Sequence, residues 1–380
     1  MPGDTIIFVT VNFPPHRAGG AERQALLQAR ELTARGWSVE VVCPRNRSED
    51  PAPVVDGIPV SRLLTLRRPF ERLSWCVRLT LFLVRRRARC RLIHVHVANV
   101  QADAGALAAT VMRRPLYVKV ASGGVSGEIA GRRRRRVGVG RWFGLRRATA
   151  VQALSPQIAA ELREVGVAPG RIRVLPNGVD VDHFRPPTSN ERDAARAELG
   201  VAPGELVVAF LGRFARYKGA ETLLDAWDPA VHRGARLLLV GARLTEDPLG
   251  PIPDRPGLAA LPWAADPRRI FHAADVFVHP ALADGMPNSV LEAMACGVPV
   301  VAARTPAVLN VVGDADAVVL FEPANADALR RVLADLLDDA DRRRALGEAG
   351  RQRALQFSHG TVVGLLERAY AVVGAGPVRR

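Results

Sequence analysis

Short β-branched apolar runs alternate with stretches of helical periodicity along this chain, and that alternation most narrows the folds open to it. Residues 6–11 predict a buried strand and a Pro/Gly loop fills 12–20. From Ala21, apolar Leu26, Leu27 and Leu32 recur at helical spacing until Gly36 ends the helix. Residues 39–42 predict the next strand, followed by candidates at 92–97, 116–120, 148–153 and 172–175, with helix-like segments between them. Parallel neighbours need long crossovers, so repeated βα units predict a parallel sheet with helices on both faces.

Asn177-Gly178 reads as a turn, and the composition of residues 185–190 (RPPTSN) reads as a linker. The alternation then restarts with strand candidates at 206–211, 237–240, 276–279 and 298–302. No repeat of 20–50 residues suggests a solenoid. At roughly 150 residues per domain, the 380 residues predict two doubly wound α/β domains: 1–187 and 188–359. Ligands in such sheets bind beyond the carboxyl ends of the strands, so two facing domains imply a cleft.

Charge is unevenly spread. The chain has 53 Lys+Arg against 38 Asp+Glu, a net +15, and its only lysines are Lys119 and Lys218. Through Pro186 there are 31 basic and 14 acidic residues, net +17; from Pro187 onward there are 22 and 24, net −2. The excess gathers at Arg85, Arg86, Arg87 and Arg89 and in the run from Arg132 to Arg136. Such a half suits an anionic partner, a membrane surface or a polyanionic acceptor; a solvated arginine-rich surface is the plainer reading. Nucleic acid has least support, for no zinc-finger spacing or RNP-like aromatic motif is present.

Cys43, Cys76, Cys90 and Cys296 lie far apart without a CxxC, which argues against a disulfide framework or zinc knot and for a reducing compartment. The N-terminus lacks the ordered regions of a signal peptide. The apolar run 79–84 falls far short of the roughly 20 residues that span a bilayer. A cytoplasmic protein, with a peripheral membrane location open to it, is the expectation.

Three loops at predicted strand ends carry the chemistry. The first includes His16, Arg17, Gly19 and Gly20; paired glycines at a helix start let backbone N–H groups approach an anion. The second runs from Gly212 through Arg213 and Lys218 to Gly219: Arg213 can grip phosphate oxygens bidentately and Lys218 adds a compact charge. The third passes Asp284, Gly285, Met286, Pro287, Asn288, Ser289 and Glu292 into Ala-Met-Ala-Cys-Gly-Val-Pro-Val. Two carboxylates eight residues apart on one helix would stand about 12 Å apart, too far for a retaining hydrolase pair at about 5–5.5 Å. The spacing suits two contacts on an elongated ligand.

Together with Leu175-Pro176-Asn177-Gly178-Val179-Asp180, these loops resemble, in order and over nearly the whole chain, the family 4 (GT4) retaining glycosyltransferases of the GT-B fold. That resemblance implies two Rossmann-like domains facing a central cleft, with the chain end, about 360–380, returning to the first domain. It implies a nucleotide-sugar donor held mainly by the second domain, with Arg213 and Lys218 on the diphosphate and Glu292 on the ribose hydroxyls. Asp284 would meet donor-sugar hydroxyls, and the amides after it the sugar and phosphate. The Gly19-Gly20 loop would close on the diphosphate. Catalytic candidates are therefore Arg213, Lys218 and Asp284. Positioned cations and N–H dipoles stabilise the departing diphosphate, so neither metal nor cofactor is expected. The strings Asp180-Val181-Asp182 and Asp314-Ala315-Asp316 lie outside the three loops.

Two departures stand out. Asp284 occupies a position usually held by Glu, and after the strand 116–120, where many relatives place a histidine, the sequence reads Lys119-Val120-Ala121-Ser122-Gly123-Gly124. Lys119 and Ser122 join His16 and His96 as acceptor-side candidates. His94 and His96 alternate on a strand end, so one at most is expected to face a cleft, a structural histidine being the commoner outcome. Residues 70–91, apolar and then basic, read as a helix covering a sheet, with an interfacial helix as the alternative. The expected activity is retaining transfer of a hexose-type sugar from a UDP- or GDP-sugar to an acceptor hydroxyl, in glycolipid, polysaccharide or natural-product synthesis. The alternatives are a catalytically weak nucleotide-sugar binder and a basic membrane-surface module.

Overall fold

The computed structural model describes residues 4–14, 19–45, 53–66, 70–124, 127–134, 142–232, 234–241, 252–263, 266–313 and 316–375. These form two compact units, Met1–Gly178 with His359–Arg380, and Val179–Ser358.

Among the described residues, the first unit carries an eight-stranded sheet: β1 (Thr5–Val9), β2 (Ser38–Pro44), β3 (Val54–Val55), β4 (Ile58–Leu63), β5 (Cys90–Val95), β6 (Leu116–Val120), β7 (Ala150–Ala153) and β8 (Ile172–Val174), in the order β3-β4-β2-β1-β5-β6-β7-β8. All pairs are parallel except the β3–β4 hairpin. β1 and β6 are buried along their whole length, which is why β1 reads as a nearly continuous apolar run; in β6 the run is interrupted by Lys119.

The second unit holds a six-stranded parallel sheet: β9 (Leu206–Leu211), β10 (Ala235–Val240), β11 (Leu258–Leu261), β12 (Val276–His279), β13 (Val300–Ala303) and β14 (Val318–Phe321), ordered β11-β10-β9-β12-β13-β14. This is the doubly wound GT-B architecture expected. In each sheet the winding reverses once, at β1/β5 and at β9/β12, and such reversal points open the crevice in which doubly wound sheets take ligands.

The strands the sequence reading missed are β3, β4, β11 and β14. Three are edge strands; β3 is two residues long and β4 carries Pro59, Ser61 and Arg62, so these two lack the long apolar signature of a central strand, whereas β11 (LAAL) and β14 (VVLF) are short apolar runs that were overlooked. Residues 185–190, expected as a linker, lie inside the second unit and start a helix. Thr188 N-caps Ser189–Glu198 in a reciprocal capping box with Glu191, and Arg185 pairs with Glu191 at 2.7 Å.

The last helix, His359–Val372, belongs to the first unit. It packs on the helix Gly20–Ala34, with Glu367 accepting from Arg35 (2.8 Å) and Trp37 Nε1 (2.6 Å). The chain end thus closes the core that its beginning opened, which includes Phe8, Leu32, Trp37, Val363 and Tyr370.

Candidate functional site

In the second unit, the loops after β9 and β12 lie beside each other because their strands are neighbours at the reversal point. β9 leads through Gly212 and Arg213 to a 3-10 turn, Arg216–Lys218, and then to the helix Ala220–Ala226. Gly219 joins turn to helix at φ +70°, and a Cβ there would fall 1.9 Å from the Pro280 carbonyl oxygen. That close approach draws the two loops together, and Leu282 N–H donates to the Tyr217 carbonyl at 2.9 Å across the seam.

The approach brings Lys218 onto Asp284. Nζ stands 2.6 Å from Oδ2, with the two side chains 16% and 18% exposed, so the pair is partly withdrawn from the screening that weakens surface ion pairs. Asp284 Oδ1 accepts its own loop's Gly285 N–H at 2.9 Å; the carboxylate thereby closes a turn while holding the lysine. His279 Nε2 lies 3.6 Å from the same Oδ2. Burial pushes its imidazole down to about 4 against the pull of Asp284, so a neutral ring backs the carboxylate. Arg213 is exposed, its guanidinium 5.9 Å from the Tyr217 ring centroid, with Lys218 Nζ 5.6 Å from the same ring; both fall within cation–π range.

Gly285, Met286 and Pro287 are buried and shape the loop, whereas Asn288, Ser289 and Glu292 are half-buried. Pro287 occupies the N-cap of the helix Asn288–Ala295 without a side-chain cap. Asp284 lies on the loop and Glu292 within the helix, so the two acids are not carried by one helix. Tyr217 and His279 were not among the sequence candidates. His279 could have been noticed as the last residue of a buried strand opening the third loop.

In the first unit, Gly19 N-caps the helix Gly20–Ala34 after β1, again without a side-chain cap; His16, Arg17, Arg135, Arg136 and Asp314 lie outside the described residues. The structural role expected as the commoner outcome holds for both His94 and His96, but not because the two residues alternate in direction. Positions two apart on a strand share a face; the two rings stack at 4.0 Å and are 0% and 1% exposed. His94 Nδ1 sits 2.6 Å from Tyr370 Oη, and burial holds both imidazoles well below their usual range. They are neutral core groups.

Lys119 is equally withdrawn. It is 1% exposed, and Nζ donates to Asn177 Oδ1 at 2.7 Å. Burial lowers its ammonium to about 7 against the opposing pull of Glu128. Glu128, missed by the sequence reading, is the organiser of this region: its carboxylate accepts the backbone N–H groups of Ala121 (2.7 Å), Ser122 (3.1 Å) and Ala98. It ties the loop after β5 to the loop after β6, with Ser122 half-buried in the latter. Burial raises its carboxyl to about 7, its amide bonds working the other way.

Among the described residues no group of three or more His, Cys, Asp or Glu is placed to hold a metal ion. Asp180 is engaged in a turn, its Oδ1 accepting from the Asp182 and His183 amides at 3.3 and 3.0 Å.

Family models match both halves of the chain: Glycosyltransferase Family 4 over residues 18–183 and Glycosyl transferases group 1 over residues 205–339. A D-inositol 3-phosphate glycosyltransferase from Rhodococcus erythropolis is 30% identical over 92% of this chain and 86% of its own. One from Segniliparus rotundus is 36% identical over 55% of this chain, and that match spans about half, 49%, of the relative's length. Among solved structures, Anabaena Alr3699/HepE in complex with UDP and glucose shares the fold with a TM-score of 0.80 at 19% identity, over 96% of this chain and 99% of that one. Sucrose-phosphate synthase from Thermosynechococcus elongatus does so with a TM-score of 0.80 at 23% identity, over 98% and 99%.

Proposed function

The chain belongs to the glycosyltransferase group 1, family 4 proteins of the GT-B fold, and from that premise we propose that it moves a hexose-type sugar from a UDP- or GDP-sugar to an acceptor hydroxyl with retention and without a metal. The observation that carries this reading is the meeting of Lys218 and Asp284, 2.6 Å apart, at the β9/β12 reversal point.

Breaking the sugar–phosphate bond leaves an oxocarbenium-like sugar and gathers negative charge on the diphosphate. Fixed cations are most effective where that charge develops. Lys218, held by Asp284, and exposed Arg213 are the cations offered; the first-turn amides at Asn288 and Ser289 add the positive end of a helix dipole. Asp284 has both oxygens engaged, by Gly285 and Lys218, and meets a donor-sugar hydroxyl with a remaining lone pair, while Glu292 serves the nucleotide ribose. Retention follows when the departing phosphate takes the acceptor proton on the face it leaves.

The relatives' names include D-inositol 3-phosphate glycosyltransferases and a GDP-mannose-dependent mannosyltransferase acting on a phosphatidylinositol mannoside, which supports a phosphorylated or lipid-linked polyol as acceptor. We read that acceptor as presented at an anionic membrane surface, supported by the net +17 of the first 186 residues. A second reading, donor binding with little turnover, is supported by the burial of Lys119 and by the lack of a histidine after the strand 116–120, where many relatives place one.

A panel of UDP- and GDP-sugars read by thermal shift tests donor binding, since a ligand at about 100 times its Kd adds roughly 2.7 kcal/mol. Sugar transfer to a polyol phosphate separates the two readings. No shift with any donor overturns both.

A further inference from the structure

The helix Glu71–Arg85 has two apolar faces. One, with Trp75, Leu79, Phe82 and Leu83, is buried and packs against the helix Val100–Met112 and β4. The other is open: Leu73, Val77 and Leu81 are 64%, 50% and 49% exposed, and Phe70, just before the helix, is 60% exposed. Steps of three and four residues set these side chains in one stripe. Leu64 and Leu66, leaving β4, are also exposed. Aligned exposed apolar groups of this kind mark a contact surface rather than ordinary scatter.

The stripe is bordered by cations. Arg72, Arg78 and Arg85 are exposed on the same helix, and Arg87 and Arg89 follow it. A cavity of about 370 Å³ opens beside the helix, walled by Arg45, Arg78, Arg85, Leu64 and Leu81, with no acidic residue in its lining. Two further arginines of its wall are occupied, Arg62 by the Phe13 and Pro14 carbonyls and Arg86 by Glu40. Arg45, Arg78 and Arg85 have no carboxylate partner among the described residues.

We propose that this face docks the protein on a membrane containing anionic phospholipid, with the Phe70–Leu81 stripe entering the acyl boundary and Arg45, Arg78 and Arg85 taking a lipid phosphate. Apolar stripe and flanking arginines together match an interfacial helix. A second copy would set its own arginines against these, and a nucleic acid would leave the leucines without apolar cover. No helix among the described residues is long and apolar enough to cross a membrane, so the contact is one of surface seating. The inference rests on the reading that the acceptor is presented at an anionic membrane, and it adds the element that makes the contact.

The test is co-sedimentation of the full chain with vesicles of phosphatidylcholine alone and with one part in three phosphatidylglycerol. Binding should be about tenfold stronger to the anionic vesicles and fall with salt. The Arg78→Glu/Arg85→Glu variant should drop to the phosphatidylcholine level, and Leu73→Glu/Leu81→Glu should lose about tenfold on both vesicles. Equal wild-type binding to the two vesicles, or unchanged binding in either variant, overturns the proposal. So does displacement by glycerol phosphate at the same phosphate concentration, or preference for duplex DNA. Should a double variant fail to fold, Arg78→Gln and Leu81→Gln singly are read in the same assay. The donor-induced thermal shift is measured in parallel: its loss with vesicle binding intact counts against the donor site, and the reverse against the docking face alone.

Discussion

Lys218 Nζ and Asp284 Oδ2 stand 2.6 Å apart although 66 positions separate them in the chain. A loop that ends one central strand thus supplies the cation, and a loop that ends its neighbour supplies the anion that orients it. The shorter side chain at Asp284 fits this arrangement, since Oδ1 is already committed to the adjacent Gly285 amide.

Lys218→Ala should abolish the donor-induced thermal shift and lower kcat/KM by about 10²–10³-fold. Asp284→Ala should retain part of the donor shift while lowering kcat by a similar factor, because it frees the ammonium but removes the sugar contact. Steady-state kinetics with each variant check the split; unchanged turnover in Asp284→Ala would remove that residue from the site.

Gly219→Ala combines a left-handed backbone, φ +70°, with a Cβ placed 1.9 Å from the Pro280 carbonyl oxygen. The two loops must separate to accommodate it. Chemical denaturation should show a loss of about 2 kcal/mol or more, and donor KM should rise with it because Lys218 is the preceding residue.

Glu128 makes stability depend on pH. Its carboxyl is raised to about 7 in the folded protein by burial, against about 4.3 in an unfolded chain. Between these values the unfolded state loses a proton that the folded state keeps, so the contribution is fully present below about 4.3 and is lost as pH rises through about 7. Wild type should therefore lose stability relative to Glu128→Gln across that window, by on the order of 2 kcal/mol. Urea midpoints of both proteins at pH 4.5 and 7.5 measure it; a difference independent of pH would refute the assignment.

Thr188→Ala breaks the capping box over Ser189–Glu198 and should cost about 1 kcal/mol of stability, while Thr188→Ser restores most of it. Donor affinity should be unchanged in both, which thermal denaturation with and without donor will show.

Much of this was legible early. The central strands announce themselves because burial on both faces favours runs dominated by apolar residues, and the residues of the three loops lie contiguously in the chain. β3 and β4 were missed because one is two residues long and the other is broken by Pro59, Ser61 and Arg62. The seeming linker at 185–190 misled because proline and a short polar residue also begin helices, and only the Thr188–Glu191 reciprocity distinguishes the two. Glu128 escaped notice because a single carboxylate after glycines has no pattern; its meaning is the set of amides it gathers.

By itself the sequence determined the doubly wound class, the chain order of the phosphate and sugar loops and hence the family, since each is written in local periodicity or in contiguous residues. Only the tertiary structure decided that Lys218 meets Asp284, that His94 and His96 stack in the core, and that Lys119 reaches Asn177 instead of solvent. Strand order brings distant residues together, and burial then selects which polar groups are charged; neither is encoded by any residue's neighbours in the chain.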